Sequence, residues 1–246
     1  GVRLVGSEMC IRDRYMSQPS LYQKLVNSPM GVRMAPFILF LILTSGQGQF
    51  GDSSAFWLYL IKSVVGIGLL AWMWPRVKEM RWNFSWEAIA VGVLVYLLWV
   101  GLDPYFPHLS DFGGGDKEDA FVWNPHALFG QGTALAWLFI VVRILGMTVV
   151  VPPLEEVFYR STIYRYIVQP HFDKIPLGQM HWGAFLGTSA LFGLAHNEWL
   201  SGLLCGLLYQ WLVIRKNRLG DAITAHAITN FLLGSHVAIR GAWQFW

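Results

Sequence analysis

The stretch VPPLEEVFYRSTIY, residues 151–164, places two adjacent glutamates and an arginine directly after a long apolar segment. Glu156 and Arg160 are four residues apart, the helical spacing at which opposite charges form an ion pair. Glu155 lies about 100° around the helix from Glu156 and points elsewhere. If Arg160 neutralises Glu156, Glu155 is left to face a cavity. The alternative is a helix at the membrane interface in which all three side chains are solvated.

Composition indicates that these charges belong to a membrane protein. Hydrophobic residues make up 54% of the chain and charged residues 13%, against about 25% charged residues in an average soluble domain. The 13 tryptophans agree with this interpretation, because indole is favoured at membrane–water interfaces. A net charge of +3, spread over short loops, offers no basic stripe, so nucleic acid is not an expected partner.

The apolar segments predict an all-α, polytopic integral membrane bundle of about seven or eight membrane segments. These segments are residues 34–43, 55–74, 88–102, 127–151, 154–169, 182–196, 199–214 and 222–239. The double proline Pro152-Pro153 is expected to end the fourth segment, because an interior proline removes a hydrogen-bond donor and clashes with the preceding turn. A polar loop after residue 102 carries an acidic cluster of Asp116, Glu118 and Asp119.

Two short basic loops predict the cytoplasmic face of this bundle. One holds Arg76, Lys78 and Arg81, and the other holds Arg215, Lys216 and Arg218. An odd number of predicted segments lies between them, which would place the two loops on opposite faces. One segment is therefore expected not to cross. Residues 154–169, short and charged, are predicted to form a polar half-helix inside the bundle, where irregular backbone is tolerated.

Residues 1–15 are interpreted as a sequencing-adapter artefact or a disordered tail. The sequence LVGSEMCIRDR, residues 4–14, resembles the translation of a transposase adapter used in shotgun libraries. Residues 16–246 are then one membrane domain, with its charged and polar motifs in residues 151–234. Cys10 falls in the excluded segment, so Cys205 remains alone and is predicted to be a packing residue with no disulfide partner.

Two further apolar segments carry polar side chains. His196 follows Phe192 by four residues, and His226 and Asn230 have the same spacing on one helical face. Ionisable groups inside a membrane are candidate functional residues, with one another as partners. Glu155 and the two histidines are therefore candidates for one site, with Asn230 beside them.

The order EExxxR, FxxxH and HxxxN resembles the CAAX prenyl protease and bacteriocin-processing (CPBP, or Abi) family of intramembrane proteases. The three motifs cover residues 151–234 of this chain. The sequence WVGLD, residues 99–103, is similar to a bacterial prenyl-protease-related branch associated with exosortase protein sorting. The resemblance implies a multi-helix fold in a bacterial inner membrane, with a polar chamber open to the cytoplasm or the bilayer.

By this resemblance the protein cuts peptide bonds in membrane-anchored proteins. Because no HExxH helix is present, glutamate catalysis without a cofactor is preferred over zinc catalysis. Glu155 and His196 would activate a water molecule, while His226 and Asn230 would hold the oxyanion. Elementary chemistry agrees with these assignments, because amide hydrolysis needs a base for the water and donors for the developing negative charge. The resemblance also implies structural roles for Glu156 and Arg160, which would fix the helix, and for Phe192, which would pack beside the histidine.

Two alternatives remain open at this point. Glu155, His196 and His226 could form a zinc site with an open position for water, although no HExxH helix is present. Buried polar groups also suit a transporter or a polytopic binding protein that cuts nothing.

The remaining polar residues are given other roles. Lys62 is expected to pair within the bundle or to reach the interface, and Arg143 to do the same or to contact a substrate carboxylate or lipid phosphate. The other histidines are predicted to be solvated or packing residues: His108, His126, His171, His181 and His236.

Overall fold

The computed structural model describes residues 19–112 and 121–246, which form nine helices and no β-strand. The predicted all-α class is confirmed. The helices are α1 Leu21–Val26, α2 Pro29–Ser45, α3 Asp52–Met73, α4 Trp86–Leu102, α5 Pro125–Phe129, α6 Ala134–Val168, α7 Trp182–Leu194, α8 Trp199–Lys216 and α9 Gly220–Arg240. Residues 1–15 and the acidic cluster of Asp116, Glu118 and Asp119 lie outside the described residues.

Four of these helices are long and apolar enough to cross a membrane. They are α3, α4 with the turns that continue it to Phe112, α6 and α9. Helices α2 and α7 are apolar but shorter. Length and composition thus indicate an integral membrane protein, as predicted. The larger number of seven or eight crossings stays a prediction.

Helix α6 runs through the double proline without ending, so the predicted helix stop at Pro152-Pro153 is wrong. Its 35 residues include two π-helical segments, Gly146–Val150 and Val157–Ile163. At the end of the first segment the Val151 N–H donates to the Gly146 carbonyl, five residues earlier. This shift in pairing lets the helix absorb residues that have no N–H, as π-bulges do inside α-helices.

The prediction of a separate half-helix at residues 154–169 is also wrong, because residues 154–168 form the second half of α6. Helices α4 to α8 connect the two basic loops, and contacts join the ends of these loops. The Lys216 Nζ lies 2.7 Å from Glu87 Oε1, and the Thr224 hydroxyl donates to the Asn83 carbonyl at 2.8 Å.

Small residues allow the central helices to approach closely. A Cβ atom on Gly92 of α4 would lie 2.6 Å from the Ala225 carbonyl oxygen of α9. A Cβ atom on Gly206 of α8 would lie 2.9 Å from the Ser189 Cα atom of α7. Glycine at these contacts is the common means of packing helices whose apolar faces gain little from leaving lipid.

The loop between α3 and α4 is attached to the bundle through Glu79. The Glu79 Oε1 atom lies 2.8 Å from Arg33 of α2 and 3.0 Å from Arg165 of α6, and it accepts a hydrogen bond from Ser161 at 2.6 Å. Burial raises the pKa of Glu79, but the Arg33 charge and the hydrogen bonds outweigh it and hold the pKa below its usual value.

We expect Gly92→Ala to destabilise the protein by about 1–3 kcal/mol, because the new methyl group overpacks the contact between α4 and α9. Gly101→Ala is the matched control on the same helix, since its Cβ atom would meet no atom within 4 Å. Thermal unfolding in detergent measures both variants. Equal melting temperatures for the two would contradict the close approach at Gly92.

Stability should also depend on pH through Glu79. Because its pKa is lowered in the folded protein, the carboxylate stabilises the fold above its ordinary pKa of 4.5, and this contribution disappears as pH falls through the folded value. The melting temperature in detergent should therefore drop on acidification below about pH 4.5. Glu79→Gln should be less stable at pH 7 and lose part of this dependence. An unchanged pH profile in this variant would refute the assignment.

Candidate active site

Three elements bring the predicted residues together. Helix α6 carries Glu155, Glu156 and Arg160, and α9 carries His226 and Asn230. Phe192 lies near the end of α7, and His196 follows this helix in the connection to α8. The separate motifs of the sequence are thus neighbours in space.

Glu156 is the fully buried centre of this group. Its Oε1 atom lies 2.9 Å from Nδ1 of His226, and its Oε2 atom lies 3.2 Å from Nε of Arg160. The i,i+4 pair therefore has the geometry that its spacing predicts. If Nδ1 of His226 carries its proton, this nitrogen donates to Glu156, and Nε2 faces Glu155 at 4.0 Å. Glu156 thus fixes the orientation of the histidine ring.

Arg160 is held by charge and by aromatic faces. Its three guanidinium nitrogens have no hydrogen-bond partner among the described side chains and backbone. The guanidinium carbon lies 4.2 Å above the Phe192 ring and 5.8 Å from the Tyr209 ring centre. Phe192 also contacts His196, with ring centres 4.6 Å apart. Phe192 therefore packs against both an arginine and a histidine, and the cation–π contact compensates part of the desolvation of Arg160.

Glu155 differs from Glu156 in having no arginine or lysine of the described residues within ion-pair distance. Its side chain is 17% exposed, and its Oε2 atom has no hydrogen-bond partner among the residues that the structure describes. Glu155 lines a cavity of about 440 Å³, and the same cavity is lined by His196, His226 and Asn230. A carboxylate oxygen that faces a cavity without a bonded partner can take a proton from a water molecule.

The position of His196 is set by chain segments outside the regular helices. Its Nδ1 atom lies 2.7 Å from the Phe192 carbonyl, so this nitrogen donates and Nε2 is left as an acceptor. The residue that follows, Asn197, accepts hydrogen bonds from the backbone N–H groups of Leu109 and Ser110 at 2.9 and 3.0 Å. The connection after α7 is therefore tied to the turns that follow α4.

Asn230 donates a hydrogen bond to the Met147 carbonyl at 2.7 Å. This carbonyl lies in the first π-helical segment of α6, where Val151 bonds Gly146 and the next residue, Pro152, has no N–H. The asparagine side chain therefore satisfies a backbone group that the helix itself leaves free. One hydrogen of the Asn230 amide remains for another acceptor, and its predicted role as an oxyanion donor stays a prediction.

Sequence reasoning missed several residues of the cavity, among them Tyr59, Tyr209 and Thr229. The Tyr209 hydroxyl donates to Thr229 at 2.7 Å, and its ring centre lies 5.3 Å from that of His226. In the sequence, Tyr209 is only a tyrosine in an apolar helix, and this pattern does not distinguish a packing residue from a functional one. Lys62 and Arg143 also line the cavity, so neither reaches out to solvent.

The predicted zinc set does not form a compact group of ligands. Within residues 19–112 and 121–246, one trio of candidate metal ligands has its atoms within 4.8 Å of one another, and it consists of Asp103, His108 and Glu198. His108, predicted to be solvated, lies with Nε2 2.8 Å from Asp103 Oδ1. Glu155, His196 and His226 do not form such a trio, and catalysis without a metal stays a prediction.

Comparison with known proteins gives one match. Residues 136–232 match the family model described as the type II CAAX prenyl endopeptidase Rce1-like domain. No curated protein and no solved structure matches the chain. The match contains the three motifs and confirms the resemblance to the CPBP family. It supports a CAAX-type intramembrane protease in general terms, and the roles of individual residues stay predictions.

Breaking the buried pair should affect stability strongly. Arg160→Met leaves the Glu156 carboxylate buried without its cation, and we expect a loss of about 3–5 kcal/mol. The double variant Glu156→Gln/Arg160→Met should recover part of the loss, because no unpaired charge remains. Unfolding in detergent with Glu155→Gln as the control, which removes a charge from the cavity wall, measures the difference. A double variant less stable than Arg160→Met would refute this account.

Proposed function

We propose that the protein is an intramembrane endopeptidase that hydrolyses a peptide bond in a membrane-anchored protein. One observation carries the proposal: Glu155, His196, His226 and Asn230 line a single cavity, and Glu155 presents a carboxylate oxygen without a hydrogen-bond partner among the described residues. The match to a type II CAAX prenyl endopeptidase model supports this type of substrate. The family resemblance and the apolar helices support a location in a bacterial inner membrane.

In the proposed reaction, a water molecule binds between Glu155 and Nε2 of His196. Glu155 accepts a proton from the water, and the water oxygen attacks the peptide carbonyl carbon. The tetrahedral intermediate carries negative charge on the former carbonyl oxygen. Donors aimed at this oxygen each contribute about 10² to 10³ in rate. When the C–N bond breaks, Glu155 returns the proton to the leaving amine.

Two groups from α9 would hold the oxyanion. With both ring nitrogens protonated, His226 bonds Glu156 through Nδ1 and presents Nε2–H to the cavity. The amide hydrogen of Asn230 that does not bond Met147 is the second donor. Both side chains are already fixed before substrate arrives, so little reorganisation is needed in the transition state.

The substrate would reach this cavity from the end of the bundle opposite the basic loops, or from the bilayer. Lining residues that lie outside the nine helices are residues 195–198 and the C-terminal Phe245 and Trp246. Residues 74–85 and 215–219, which hold the basic loops, do not contribute to the lining. We therefore infer that the substrate does not enter the polar chamber through the end of the bundle that carries the basic loops.

The first test measures cleavage of lipid-anchored fluorogenic peptides by the purified protein in detergent. Glu155→Gln should lower kcat by at least about 10²-fold, because the amide cannot accept the proton from water. Asp52→Asn, an exposed acid at the start of α3, is the control and should retain activity.

A zinc chelator separates the glutamate mechanism from a metal mechanism. Activity should persist in chelator, and its loss with recovery on adding zinc would contradict the proposed mechanism. If a correctly folded protein cuts no peptide of the panel, or if Glu155→Gln is fully active, the assignment of Glu155 as the base fails.

A further inference from the structure

Two cations on different helices face one aromatic ring in the wall of the cavity. The Lys62 Nζ atom of α3 lies 4.6 Å from the Tyr59 ring centre, and the Arg143 guanidinium carbon of α6 lies 5.0 Å from the same ring centre. The two positive charges are therefore within about 10 Å of each other, the sum of these distances. Both side chains line the cavity that contains Glu155.

Neither cation forms an ion pair with a carboxylate of residues 19–112 or 121–246. Lys62 is 6% exposed and donates to the Thr44 hydroxyl at 3.0 Å. Arg143 lies 4.3 Å from the Trp123 ring centre and 5.2 Å from that of Trp246. Hydroxyl and aromatic contacts solvate these charges in part but do not neutralise them.

No carboxylate of the described residues forms a close ion pair with either cation, although the Glu155 charge acts on Lys62 from a longer distance. Glu155 and Glu198 line the same space, but neither lies within 4.0 Å of Lys62 or Arg143 among the ion pairs of the described residues. Glu198 is grouped instead with Asp103 and His108. The cavity therefore has a cationic part, where an anion would reduce the repulsion between two like charges.

We propose that Lys62 and Arg143 form a subsite that binds a carboxylate of the peptide substrate. This inference rests on the proposed function and adds a determinant of specificity to it. Arg143 precedes Glu155 by twelve residues on α6, about 18 Å at the rise of an α-helix. An extended peptide covers this distance in about five residues. The carboxylate is thus at most about five residues from the bond that is cut.

Two peptide groups have this chemistry, namely a free C-terminal carboxylate and an acidic side chain near the end. Three matched peptides distinguish them: one with a free terminal acid, one with a terminal amide, and one amide with aspartate as its last residue. Binding is measured by fluorescence polarisation on Glu155→Gln protein in nanodiscs, so that the peptide is not consumed.

We expect the peptide with the preferred carboxylate to bind at least about 10-fold more tightly than the uncharged amide, as for a charge-assisted hydrogen bond. Adding Lys62→Gln or Arg143→Gln should remove this difference. Arg240→Gln, which changes an exposed arginine at the end of α9, is the control and should preserve it. Melting temperatures establish that each protein is folded.

Equal affinity for all three peptides, or no binding of any, would overturn the subsite. Variants that weaken acid and amide peptides by the same factor would also overturn it, because that result indicates a structural role. Cleavage is scored separately with Glu155 intact. Preferential carboxylate binding without cleavage would reject the proposed function and keep the subsite. Cleavage without such a preference would support the proposed function and reject the subsite.

Discussion

The whole arrangement depends on a carboxylate buried where water cannot solvate it. Glu156 is fully buried, and a charge in that position is tolerated only when a cation and hydrogen bonds compensate its desolvation. Arg160 supplies the charge and His226 supplies the contact from α9. Because these partners come from two helices, the same interaction that neutralises Glu156 also fixes the separation of α6 and α9. Glu155, one residue earlier, then faces the space between them.

The sequence predicted the parts of this arrangement that depend on short spacings. The pairing of Glu156 with Arg160 follows from one turn of helix, and the boundaries of α3 and α4 follow from the lengths of apolar segments. The order of the three motifs predicted the Rce1-like region, which the family model confirms over residues 136–232. Local patterns were sufficient here because the determinants are themselves local.

Predictions failed where the structure depends on a changed backbone hydrogen-bond pattern or on contacts between residues far apart in the sequence. The rule that proline ends a helix assumes the α-helical pairing, and the π-helical segment before Pro152 changes that pairing. The contact of Lys62 and Arg143 with one ring was also not predicted, because α3 and α6 are separate helices and only tertiary packing brings Arg143 to Tyr59. In the sequence neither cation has an acidic residue at helical spacing.

The attachment of Asn197 to the turns after α4 has a consequence for how the proposed activity would vary among related sequences. His196 is not held by a regular helix, and its neighbour is bonded to Leu109 and Ser110 in a segment outside the family match. The position of the imidazole therefore depends on residues that can change while the three motifs stay identical. Under the proposed function, changes in that segment would alter the reaction rate without altering any motif residue.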